Sequence, residues 1–103
     1  MGELREVYEM LEAVNKIDIN KYQIAICNNM RMFRTKYYDQ YRYENPKNEN
    51  PYSTENISTV LGMSNVHYKR LENPNDKNKC IRLHTLILLS VIYNKTIEEF
   101  IKN

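Results

Sequence analysis

Glycine is almost missing from this chain, with two in 103 residues. That excludes a glycine-rich phosphate cradle of the kind nucleotide-binding loops need. There are three prolines, two of them close together at positions 46 and 51, so long helices can run unbroken elsewhere. No apolar run reaches the roughly 18 residues that would span a bilayer, and no membrane partner is expected. The opening residues, MGELREVYEM, carry acids where a secretory leader needs a basic start and an apolar middle, so a cytoplasmic protein is expected. Internal repeats and low-complexity tracts are missing too. The two cysteines, Cys27 and Cys80, stand far apart without a CxxC motif. Two buried, reduced thiols are the expected reading, with a disulfide or a shared metal as the alternative. His67 and His84 form no ligand pattern with them, so neither metal nor cofactor is expected. The scattered His, Cys and carboxylate residues offer no nucleophile, base and orienting group at workable spacing, which argues against an enzyme.

What is present suits one small globular domain: 42% of residues are hydrophobic and 27% charged, and the length allows a single modest core. The net charge of +2 is unevenly spread. Residues 1–20 hold two bases against five acids, and residues 21–103 hold thirteen bases against eight acids. A basic body suits a phosphate-bearing partner, although a plain solvated surface can carry as much.

Helical periodicity organises the chain into an all-α protein. In residues 3–16, Leu4, Val7, Leu11 and Val14 recur at steps of three and four, and the acids crowd the first turns, where the helix dipole favours them. This amphipathic segment, residues 1–19, must bury its stripe on its own domain or on a second copy. The remainder, residues 20–103, reads as the domain proper. Asp18 or Asn20 can cap a helix over about 20–38, with Tyr22, Ile26, Met30, Phe33 and Tyr37 on one face. Residues 39–52, DQYRYENPKNENPY, read as a long insertion loop broken by Pro46 and Pro51. Its tyrosines can meet bases or a protein partner, or else pack back on the core. Ser53 can cap a helix over 54–61 that Gly62 ends, and Ser64 can cap the next through about Asn73, where Pro74 forbids continuation. Residues 81–93 are apolar almost all round and need cover on most sides. Asn94 can close that helix in the left-handed conformation, and Thr96 to Glu99 has capping-box spacing for a last short helix with Ile97, Phe100 and Ile101 inward.

The stretch from Thr54 to Glu72 holds the most specific pattern. Two short helical segments meet at Gly62, with Ile57 and Leu61 inward from the first, Met63 in the turn, and Tyr68 and Leu71 inward from the second. Small Ser58 lies where the two would come closest. This spacing resembles the phage-repressor and Cro-like (XRE-type) helix-turn-helix family over about residues 24–36 and 53–101. The resemblance implies a lambda-repressor-like helical bundle, here with an extra N-terminal helix and a long insertion between the first core helix and the helix-turn-helix. It implies an ion pair between Arg34 and Glu72. It further implies that Ser64, Asn65, Val66, His67, Lys69 and Arg70 read bases, while Ser53 and Thr54, with Lys77 and Lys79 flanking, hold phosphates. The residue types suit those roles: Asn65 can pair with adenine, Arg70 with guanine, and Val66 can meet a thymine methyl. Set against this, Lys69, Arg70 and Lys77 can be a solvated face, His67 a simple surface residue, and Asn65 no more than a helix-start residue. Tyr68 stands where the family has a smaller branched residue, and Ser58 where alanine is usual.

The expected function is therefore a sequence-specific DNA-binding regulator, a repressor of phage or mobile-element type that binds double-stranded DNA as a homodimer. The C-terminal apolar helix with Phe100 is the first candidate for the dimer surface and the Leu4–Val14 stripe the second. The alternative is a helix-turn-helix-fold protein-binding module, a small inhibitor or anti-repressor, whose partner would meet the Tyr-rich segment 39–52.

Overall fold

A computed structural model describes residues 2–76 and 81–102, with side chains from Leu4 onward; Lys77, Lys79 and Cys80 lie outside the described residues. The described residues form six helices and no strand: α1 (Gly2–Asn15), α2 (Ile19–Glu44), α3 (Thr54–Leu61), α4 (Asn65–Leu71), α5 (Leu83–Tyr93) and α6 (Ile97–Ile101). No described helix is long and apolar enough to cross a membrane.

Local chemistry sets most of these boundaries. Asp18, Ser53, Ser64 and Thr96 each accept a hydrogen bond from the backbone N–H three residues on, satisfying a donor that the first helical turn leaves unpaired. Thr96 and Glu99 complete a reciprocal capping box. Two helices stop in the same way. Gly62 turns left-handed at φ 72°, its N–H reaching Thr59 O while Met63 N–H reaches Ser58 O at 3.0 Å. Asn94 turns left-handed at φ 51°, and Lys95 N–H reaches Ser90 O at 3.0 Å. Both satisfy the orphan carbonyls of the last turn.

The core lies between the middle of α2 and the four helices that follow. Ile26 and Met30 of α2 cluster with Ile57 and Leu61 of α3, Tyr68 and Leu71 of α4, Leu86, Leu89 and Tyr93 of α5, and Phe100 of α6, and Ala25 and Cys27 of α2 are buried as well. Phe33 stands edge-on to Phe100, with ring centroids 5.1 Å apart. The Asn29 side-chain amide donates to the carbonyls of Phe100 and Lys102, both at 2.7 Å, and so fastens α6 across α2. Cys27 is a free, fully buried thiol.

Several boundaries and faces differ from the sequence reading. Residues 39–44, expected in the insertion, continue α2, and the connection shrinks to 45–53. None of those six residues breaks a helix. Tyr41 packs its ring near Tyr52, and only Asn45, which precedes Pro46, leaves helical geometry. The remaining loop is tied down: Asn50 donates to Tyr38 O at 2.9 Å and accepts from Tyr52 N–H, and Asn56 donates to Asn50 O at 2.8 Å. Helix α4 ends at Leu71 rather than near Asn73, and α5 starts at Leu83 because Arg82 is extended. Tyr22, expected on the inner face, is exposed, since the first turns of α2 project past the core. Phe100 is fully buried, which removes it from any surface between copies.

The molecule is long, 69 Å against 23 and 21 Å across. Every described residue from Leu4 to Tyr22 is exposed, so the stripe of α1 is not buried on its own domain. Helix α5 also leaves Leu83, Ile87 and Val91 uncovered, at four-residue steps along its outer face.

Candidate nucleic-acid interface

Helices α3 and α4 pack on each other across the three-residue turn Gly62–Ser64. Ser58 is buried at that contact and donates to Glu55 O at 2.7 Å, so its hydroxyl is satisfied inside its own helix. One side of α4 is anchored by Tyr68 and Leu71, while Val66, His67, Lys69 and Arg70 are exposed on the other, Val66 at 73%. The outward face thus offers one apolar, one imidazole and two cationic side chains along two turns of helix.

The anchored side is held by a buried charged network. Glu72 accepts from Arg34 Nε at 2.7 Å and from an Arg34 terminal nitrogen at 3.0 Å, a fork-to-fork pair joining α2 to the end of α4. The Tyr68 hydroxyl also donates to this carboxylate. Arg34 further reaches Tyr52 O, and Arg31 reaches Glu72 O, both at 3.4 Å. The bond to Glu72 raises the Arg34 pKa in spite of partial burial. Tyr68 and Tyr93 are pushed well above the ordinary tyrosine value, first by burial, and in both cases further by the negative charge of Glu72. The place of Tyr68 follows from this: its ring fills the core and its hydroxyl serves Glu72.

The remaining candidates stand as follows. Ser53 and Ser64 spend their hydroxyl oxygens on the amides of Asn56 and His67. Thr54 opens α3 beside Ser53 and is partly exposed. Asn65 is half-buried with its Oδ1 buried and unpartnered, so its amide must rotate before it can present both edges to adenine. Arg70 pairs through Nε with Asp76 at 3.0 Å, and its side chain keeps 60% of its surface open. Lys77 and Lys79 lie outside the described residues. Sequence reasoning missed Asp76, Arg31 and the hydroxyl of Tyr68 as members of this region. For Tyr68 the signal was present, because residues 68 and 72 share a helical face at four-residue spacing.

No family model, no curated protein and no solved structure matches this chain.

Proposed function

We propose that the protein is a sequence-specific DNA-binding regulator of the repressor type, in which α3 and α4 act as a lambda-repressor-like helix-turn-helix and α4 enters the major groove. The observation that carries this reading is the division of α4 between a face locked in the core by Tyr68, Leu71 and the Arg34–Glu72 clamp and a face that holds Val66, His67, Lys69 and Arg70 in solvent. A reading helix needs that rigidity, since its side chains must meet base edges without rearrangement of the backbone. Lys69 supplies phosphate attraction, Val66 suits a thymine methyl, and Arg70 suits the O6 and N7 of guanine once it leaves Asp76. The N-terminus of α3, at Ser53 and Thr54, would offer the positive end of the helix to a phosphate. Two copies on one operator would repress by occluding polymerase.

A second reading, a protein-binding module with the same architecture, draws support from the buried Oδ1 of Asn65 and the Arg70–Asp76 pair, which both turn reading groups away from a duplex. Tyr43, 88% exposed at the end of α2, would then be a contact residue. Duplex binding across a salt series separates the two. A DNA reader loses affinity steeply as salt releases less counterion entropy, and Asn65→Ala and Arg70→Ala each cost about 1–3 kcal/mol on a selected site with relaxed base choice. Weak binding to every duplex, equal for both variants, would favour the protein-partner reading.

A further inference from the structure

We infer that α1 is a dimerisation helix whose apolar stripe pairs with the same stripe of a second copy of this chain. Leu4, Val7, Tyr8, Leu11, Val14 and Ile17 all lie within reach of one helical face and its continuation, and each is between 45% and 66% exposed. A helix of 14 residues is marginal in water without a partner. The core of its own chain does not supply one, because α1 extends the molecule along its 69 Å axis instead of folding back.

The extent of the apolar stripe selects a second copy as the occupant. Arg5, Glu6, Glu9, Glu12 and Lys16 occupy the opposite face, where Arg5 pairs with Glu9 at 3.4 Å and Lys16 with Glu12 at 3.5 Å. Among the described residues the centre of the stripe, Leu4, Val7, Leu11 and Val14, is apolar throughout, so two copies related by a twofold axis can bury it without placing an ion inside. The apolar surface also has the right size. It runs on past α1 through Ile19 to Tyr22, and side chains of this kind at half exposure amount to several hundred Å² per copy, near the scale of about 800 Å² per partner in a standard interface. The three exposed residues on α5 make a shorter stripe, small enough for a monomer to tolerate. The pairing does not depend on whether α4 reads DNA.

Sedimentation equilibrium of the full chain tests this. The wild type is expected at twice the chain mass in the micromolar range. Leu11→Glu, alone or with Val7→Glu, is expected to weaken the dimer at least about 100-fold by forcing carboxylates into the apolar centre of the seam. Both sites are exposed in the single chain, so the thermal melt of the core should be retained. Ile87→Glu on α5 is expected to leave the dimer intact. A monomeric wild type, a mass other than two chains, a dimer that survives Leu11→Glu with Val7→Glu, or one abolished by Ile87→Glu would each overturn the inference.

Discussion

Glu72 accepts hydrogen bonds from two nitrogens of Arg34 and from the hydroxyl of Tyr68, with 9% of its side chain open to solvent. Such a carboxylate holds its neighbours in place more than it adds to net stability, since its own dehydration offsets much of the attraction. Removing it alone is different, because the guanidinium and the hydroxyl remain without an acceptor. Glu72→Ala is expected to lower stability by about 3 kcal/mol, read as a shift in urea midpoint at unchanged slope. The lower end of the usual range applies because Arg34, at 16% side-chain exposure, can recover some water. The two buried tyrosines give a pH signature. Both are raised above the ordinary value of 10.0, so the fold favours their neutral forms. Below about pH 10 neither state has lost these protons and stability is at its full value; above it the unfolded chain releases them while the folded one keeps them, and stability falls. Tyrosinate absorbance from Tyr68 and Tyr93 is therefore expected to develop in the same alkaline step in which circular dichroism reports unfolding.

At the level of elements, what was legible in the sequence is what short-range chemistry decides. Ser53, Ser64 and Thr96 as caps, Gly62 and Asn94 as left-handed stops, and the bounds of α3 are each written within a few residues of where they act. The end of α2 was not legible, because the packing of Tyr41 near Tyr52 is decided by a residue eleven positions later, on the far side of the loop. The exposure of Tyr22 was hidden for a related reason: periodicity shows which face is apolar, but not how far along a helix the core extends. In the candidate site, the residue types of α4 could be read from the chain, whereas the orientation of the Asn65 amide and the pairing of Arg70 with Asp76 depend on folded neighbours. Gly62 allows a clean test of the turn. A Cβ placed there meets nothing within 4 Å, so any penalty comes from the backbone alone. Gly62→Ala is expected to cost about 1–2 kcal/mol for holding an L-residue left-handed, measured as a fall in melting temperature with helical content kept.

For the whole molecule, the described residues divide into a packed head, made by the middle of α2 with α3 to α6, and an apolar-striped rod made by α1 and the first turns of α2. The two ends of α2 serve different surroundings, one beside the rod and the other beside the loop that leads to α3. Cys27 sits in the head with no accessible surface. A thiol reagent reaches that sulfur only while α2 stands away from the helices that cover it. The rate at which Cys27 acquires a label, followed by peptide mass, therefore keeps time for the transient openings of the head, and anything that binds and steadies the closed form slows that clock.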